Sequence, residues 1–328
     1  NIGPAVAGGR IHDVEIVPDK PEIVFIASAS GGIWKSTSKG TMWNPVFDNE
    51  VVSSFGDMAI AESNSNVIYA GTGEQQNRQS TTWGNGMYKS MDQGETWTSI
   101  GLEKTYHIGK VIVHPKNSNI VYVAALGNLW NKSKERGVYK TSNGGRSWKK
   151  ILYIDEYTGA VTIEMDKNDP NVLYAATYQR MRKVWGFNGG GPGSGIYKTT
   201  NGGNTWKKLS KGLPPGNKGR IGLSASRTRS NVIYATIEHA DSSGFYRSGN
   251  GGSSWVRMNK LNPRPMYYSH IFVDPKNDDI VYMLATEFYR TENRGKTFYQ
   301  MPTRPTYDVG VHSDHHTLWI NPKNSNHF

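Results

Sequence analysis

The chain has 328 residues, no cysteine, and 38 Lys and Arg against 27 Asp and Glu, for a formal net charge of +11. That length suits one large domain, the lack of cysteine excludes a disulfide-built module, and no apolar run is long enough for a transmembrane helix. The first residues, Asn1-Ile2-Gly3-Pro4, do not read as a signal peptide, so a secreted form would already have shed its leader.

In chain order, β-rich runs begin near Val14, Met58, Val111, Val161, Ile221, Ile271 and Leu318. The third shows the pattern well: Val111-Ile112-Val113, a polar turn at His114-Pro115-Lys116-Asn117, then Ile120-Val121-Tyr122-Val123. After an irregular stretch, each of the first six units reaches an aromatic, a basic residue and a hydroxyl, as in Tyr88-Lys89-Ser90 and Tyr139-Lys140-Thr141. A glycine turn follows and closes on an aromatic.

This closing phrase is an Asp-box. Clean copies run over Ser90–Trp97, Thr141–Trp148, Thr199–Trp206 and Ser248–Trp255, with looser ones at Ser36–Trp43 and Thr291–Phe298. The closing aromatics recur at roughly 50-residue intervals, the range of propellers and other repeat arrays. Asp92, Asn143, Asn201 and Asn250 hold the position whose side chain accepts nearby backbone amides, and the glycine after it supplies the positive φ of a tight hairpin. Trp97, Trp148, Trp206 and Trp255 are then expected to fold back over their own turns and to be largely buried. One carboxylate, Asp92, among six copies is far from the six to eight oxygens that calcium takes, so the boxes read as structural.

The fold expected is all-β: a β-propeller of four-stranded antiparallel blades with Asp-box hairpins, six blades plus the start of a seventh. It forms one domain over 1–328, with blades near 10–49, 55–101, 107–153, 159–210, 219–260 and 268–301 and a partial one at 311–328. A half-built blade leaves strand edges open, so the chain is expected to be part of a larger propeller.

The basic balance invites a nucleic-acid reading. Yet one cation per blade sits at the same strand position, which fits a solvated, edge-protecting ring, and no nucleic-acid partner is expected. Turns joining strands one to two and three to four share one face and are repetitive. Loops joining strands two to three, and blade to blade, share the other and are irregular, which is where binding residues tend to lie.

On that face Trp83, Trp130 and Trp185, with Arg180 and Arg182, suit stacking on sugars or gripping an extended peptide; the alternative is that they fill gaps between blades. The glycine-rich stretch Gly189–Gly195 reads as a flexible loop. Candidate catalytic acids are Asp57, Glu74 and Asp314, with Asp155, Glu156, Glu238 and Asp308 beside them in the same class of loop. His312, Asp314 and His316 would share one face of a strand and could hold a transition metal, or could form a polar network near the axis. No cofactor is expected.

The boxes, the Val-x-x-Pro-Lys-Asn turns, the opening Ile2–Arg10, the Phe187–Gly195 loop and the His312–Trp319 segment together resemble bacterial sortilin/Vps10-type BNR-repeat proteins, often labelled glycosyl hydrolases. The resemblance implies a binding scaffold for peptide, protein or polysaccharide in an extracellular, cell-surface or periplasmic setting. Its alternative is a glycoside hydrolase of xyloglucanase or sialidase type. The sialidase signature is not met, since Gly9-Arg10-Ile11-His12 lacks its proline. Xyloglucanases use two aspartates from two propellers, and Asp57 is the candidate counterpart of one.

Overall fold

The computed structural model describes residues 10–78, 81–301 and 314–328. Six four-stranded antiparallel sheets follow one another in chain order around a common channel, and a single short 3-10 turn, Glu103–Thr105, is the only helical element among the described residues. The strands that line the channel are Ile11–Val17, Phe55–Ile60, Ile108–His114, Thr158–Met165, Ile221–Ala225 and His270–Val273, the first of each blade. This is the expected β-propeller.

Hydrophobic packing lies between blades. One cluster joins Ala59, Tyr69 and Met87 of blade 2 to Val111, Val121 and Val123 of blade 3, and others join blades 1 and 2, 3 and 4, 4 and 5, and 5 and 6. A sheet stacked on both sides needs apolar residues on both faces, which is why Val121 to Ala125 run without polar interruption and are all buried. Each such side chain contributes about 1.5–3 kcal/mol on burial.

The boxed turn has one hydrogen-bond pattern in all six blades. The first-position hydroxyl accepts the glycine N–H four residues on, as Ser90 does from Gly94 at 2.7 Å and Thr199 from Gly203 at 3.1 Å. The third-position oxygen accepts the amide four residues on: Thr96 to Asp92 at 2.9 Å, Ser147 to Asn143 at 3.0 Å, Ser254 to Asn250 at 2.9 Å. Ser38 does the same for Met42 at 2.8 Å, so a hydroxyl replaces the acid without loss of the bond. The reach is four residues, longer than the two or three that local turn chemistry suggests. The residue before the glycine is left-handed even where it carries a side chain, as at Lys39, Gln93 and Arg294. Its N–H ties the box to the turn between strands one and two, as in Gly144 to Asn119 O at 2.9 Å. Both sets of repetitive turns therefore share one face.

Two expectations need correction. The closing aromatics also pack on the preceding blade: Trp97 lies 5.3 Å from Phe47, Trp148 donates to Ile100 O at 2.7 Å, and Phe298 lies 5.1 Å from Phe245. Only Trp255, at 3% exposure, is buried; Trp97, Trp148 and Trp206 are half-buried because the outermost strand borders solvent. The repeated cations are not a solvated ring either. Each lies over the aromatic opposite it on strand two, Lys140 on Tyr122 at 5.1 Å and Lys198 on Tyr174 at 5.3 Å. Lys140 and Lys198 then donate to the box carbonyls of the next blade, Gly202 O at 2.9 Å and Gly251 O at 2.7 Å.

Trp255→Ala is expected to lower stability by about 3–5 kcal/mol, more than Trp206→Ala, because only the first empties a closed site. Thermal unfolding of both variants checks the order.

Candidate functional site

Blade 2's loop between strands two and three turns inward and closes the irregular end of the channel. Its Gln75 carbonyl accepts from Arg180 of blade 4 at 3.0 Å and Arg220 of blade 5 at 3.2 Å, and the Gln75 side-chain oxygen accepts from Arg220 at 2.9 Å. Gln76 bonds His270 of blade 6 at 2.9 Å, and Asn77 donates to Tyr178 and to Met266 O, both at 2.9 Å. The sequence shows no sign of this plug, since Gly73-Glu74-Gln75-Gln76-Asn77 reads only as a polar loop.

Arg180 is therefore fully buried, and the nitrogen that reaches Gln75 donates also to Asn77 at 2.6 Å. A guanidinium out of water needs several acceptors; the plug gives one Arg180 nitrogen two of them, the Gln75 carbonyl and the Asn77 side-chain oxygen, while Nε and the other terminal nitrogen are buried without a partner. Glu74 is buried too, paired with Arg10 and accepting the Thr82 N–H at 3.2 Å. Burial raises its carboxyl above the usual range even with Arg10 beside it. Asp314 accepts from the Tyr268 hydroxyl.

Asp57 lies deeper, on the wall of the channel, whose volume is about 800 Å³. It bonds Lys110 at 2.8 Å and accepts the Val111 N–H at 2.7 Å. Asp13 does the same service one blade earlier for the Met58 N–H at 2.9 Å, and Ser224 for the Val273 N–H at 3.0 Å. Burial, with Asp13 nearby, raises Asp57 to about 7 despite Lys110. Glu15 and Glu164 are raised by burial as well, and the surrounding carboxylates push Lys110 up. The three candidate acids thus have separate partners: Lys110 for Asp57, Arg10 for Glu74 and Tyr268 for Asp314.

Among the described residues no group of three His, Cys, Asp or Glu is placed to hold a metal. His312 and Asp308 lie outside the described residues. His316 is buried against Tyr268, 5.4 Å between rings, and 5.9 Å from His12.

The aromatic candidates separate into two places. Trp83, 51% exposed, packs edge-on to Tyr106 at 5.4 Å between blades 2 and 3. The other group gathers at a projecting hairpin of blade 4, Met181–Lys183 paired with Gly186–Asn188. Arg182 N–H donates to Leu129 O at 2.9 Å and Lys183 to Trp130 O at 3.3 Å, which joins the hairpin to blade 3's loop, and Arg182 lies over Phe187 at 4.8 Å. Trp185 and Val184 at its tip are 86% and 93% exposed. Tyr157, Gln179, Trp185 and Phe187 line a cavity of about 400 Å³ beside it. So Trp130, Arg182 and Trp185 are neighbours, with Arg180 beneath in the plug. The following glycines are bonded in place and do not form a loose loop: Gly191 N–H donates to Lys218 O at 3.0 Å and Gly193 N–H to Gln179 at 3.1 Å.

The sequence profile of the Sortilin-Vps10 family, described as sortilin and neurotensin receptor 3, matches residues 31–184 and 85–241 in two overlapping stretches, more than half of the chain together. The chain belongs to the Sortilin-Vps10 family. This family member is also 25% identical to a xyloglucanase from a Paenibacillus species, over 58% of the chain and 20% of the relative. Among solved structures it is similar to a GH74 enzyme of Niastella koreensis, with a TM-score of 0.65, 18% identity, and coverage of 87% of this chain and 45% of that one. It is similar as well to YCF48 bound to D1 peptide, with a TM-score of 0.56, 13% identity, and coverage of 90% and 83%. At these identities the structures share the fold alone. The chain spans a fifth of the xyloglucanase and under half of the GH74 enzyme. No helix among the described residues is long and apolar enough to cross a membrane.

Arg180→Ala is expected to cost about 2–3 kcal/mol through the acceptors it leaves behind, read as a fall in Tm. For Asp57, whose folded pKa lies above the unfolded one, the folded state holds the proton longer. Its contribution is therefore favourable at acid pH and declines as pH rises from about 4 to about 7. Asp57→Asn is expected to flatten the Tm profile across that window, so that the fall in Tm between pH 4 and pH 8 is smaller than in the parent chain.

Proposed function

We propose that the chain is a binding scaffold of an extracellular or cell-surface protein, taking a polypeptide ligand on its irregular face at the blade 4 hairpin. The supporting observation is the contrast on that side of the propeller. Glu74 and Asp314 have internal partners, whereas Trp185 and Val184 face solvent over a lined cavity. An exposed tryptophan beside tyrosine and phenylalanine provides a rigid apolar anchor, the kind of side chain that dominates interface energetics. The second strand of the hairpin, Gly186–Asn188, pairs on one side only, so its free backbone groups suit an extended peptide laid alongside. The solved complex of YCF48 with D1 peptide, a propeller of similar fold, supports a peptide ligand.

Glycan binding through the same aromatics belongs to this reading as a choice of ligand. A glycoside hydrolase is the second reading, favoured by the xyloglucanase relative and the GH74 structures. Its chemistry needs two carboxyl groups about 5–9 Å apart across an open cleft, whereas Asp57, Glu74 and Asp314 are each engaged by a different internal partner.

Two measurements decide between them. Panning the chain against a random peptide library is expected to yield ligands whose affinity falls about tenfold on Trp185→Ala, with Tm unchanged because the side chain is exposed. Incubation with xyloglucan, other β-glucans and sialosides is expected to release no sugar. Release that is lost on Asp57→Asn would replace the binding reading with the hydrolase.

A further inference from the structure

The projecting hairpin of blade 4 has one occupied edge and one open edge. On the occupied side Arg182 N–H donates to Leu129 O at 2.9 Å and Lys183 Nζ to Trp130 O at 3.3 Å, whereas Gly186–Asn188 pairs only with Met181–Lys183. The register gives the two faces different characters. Arg182 stands opposite Phe187, Met181 opposite Asn188 and Lys183 opposite Gly186. Because side chains alternate along a strand and directly opposed residues point the same way, Arg182 and Phe187 share one face while Met181, Lys183 and Asn188 share the other. Met181, Lys183 and Asn188 line the cavity of about 400 Å³ together with Tyr157, Trp185 and Phe187, and Arg182 does not.

The Arg182 side chain crosses its own ribbon toward the open edge. Its guanidinium carbon lies 4.8 Å from the centre of the Phe187 ring, which belongs to the strand bordering that edge. Stacking fixes the plane of the guanidinium but satisfies none of its donors. Nε is buried without a partner, and among the described residues the terminal nitrogens have no acceptor either. Other stacked cations of this chain do find an oxygen: Lys140 reaches Gly202 O at 2.9 Å, Lys198 reaches Gly251 O at 2.7 Å, and Arg290 pairs with Glu292 at 2.7 Å. A guanidinium flat on an aromatic ring with its N–H edge open matches a carboxylate, which takes two of those N–H groups at once. The surroundings have the same sign. Lys183 lines the cavity, Lys132 stands over Tyr157 at 5.3 Å, and no Asp or Glu is among the lining residues. Asp155 is engaged with the Tyr157 N–H at 2.8 Å, and Glu156 offsets part of the Lys132 charge.

We propose that this hairpin reads an acidic peptide: an extended segment adds to the Gly186–Asn188 edge, sets an apolar residue in the cavity beside Trp185, and presents an Asp or Glu immediately before or after that residue to the Arg182 guanidinium. The offset of one follows from the two-residue period of an added strand, which sends neighbouring side chains to opposite faces. An acid two positions from the anchor lies on the cavity face, away from Arg182. This inference rests on the proposed peptide-binding reading and adds to it the charge and the spacing of the ligand.

The test pans a random peptide library on the chain and measures the retained peptides by fluorescence anisotropy. The expected peptides carry an Asp or Glu next to an aromatic or aliphatic residue. Replacing that acid by its amide weakens binding about tenfold, Arg182→Gln weakens it by about the same factor, and the two together weaken it no further. Moving the acid one position further from the anchor costs as much affinity as removing it, and added salt weakens the acidic peptide more than its amide form. Retained peptides that lose affinity on Trp185→Ala yet carry no acid at those positions, or that are indifferent to Arg182→Gln, would overturn the charge and spacing while leaving a peptide ligand in place. Retention of no peptide would overturn both readings. If Arg182→Gln lowers Tm and so disturbs the hairpin, the acid-to-amide change in the peptide reads the same contact on the unaltered chain, and an unchanged affinity there rejects the proposal.

Discussion

A sheet with apolar residues on both faces is unstable until something covers each face, and the spacing at which neighbouring sheets can approach governs the rest of this molecule. The boxed turn sets that spacing. Its first hydroxyl and third-position oxygen tie the loop into a fixed shape, and its glycine, at positive φ, has no side chain to hold the preceding blade away. Ile100, Ile151 and Leu209 fill the space that a Cβ would have taken. A side chain there would meet an aliphatic core on one side and a strained backbone on the other, so the position has two independent reasons to be glycine.

Because the box face is committed to stacking, its sequence has little freedom, and repetition follows. The opposite face carries no such duty. Loops there differ from blade to blade and take on separate tasks: blade 2's loop becomes a plug, blade 3's supports a neighbour, and blade 4's projects a hairpin. The plug shows how a propeller can close one end without an apolar lid. Arg180 and Arg220 are taken out of water, and a loop bent across the axis offers them one shared carbonyl, that of Gln75, with the side-chain oxygens of Asn77 and Gln75 beside it.

What could be read from the residues divides along the same line. Blade number, strand order, and the identity of the box positions were legible because each rests on a local pattern repeated six times. The role of the cations was misread for a physical reason: Lys140 and Lys198 look like solvent-facing strand residues in one blade, and only the next blade's carbonyl, some 60 or 50 residues away, shows that they are clasps. Arg180 sits one residue from a strand end in a polar loop, as a ligand-binding arginine would, and nothing local marks it as bonded to Gln75, more than 100 residues upstream. Trp185 was legible as a loop aromatic, but its exposure depends on a hairpin between Met181 and Asn188 that interrupts no apolar periodicity.

The channel acids carry the argument about chemistry. Asp13 and Asp57 each accept an N–H from the first strand of the following blade, Met58 and Val111, and so act as the joints of the inner ring. A general acid or nucleophile must change its bonding during a catalytic cycle, and Asp57 could do so only by releasing the Val111 N–H and Lys110 in a buried site. A raised pKa is often read as the mark of a catalytic carboxyl, but here burial beside Asp13 accounts for it without a substrate. The burial that makes Asp57 conspicuous comes from its place between two blades, where it accepts the Val111 N–H and pairs with Lys110, a duty that the exposed Trp185 and Val184 of the irregular face do not have.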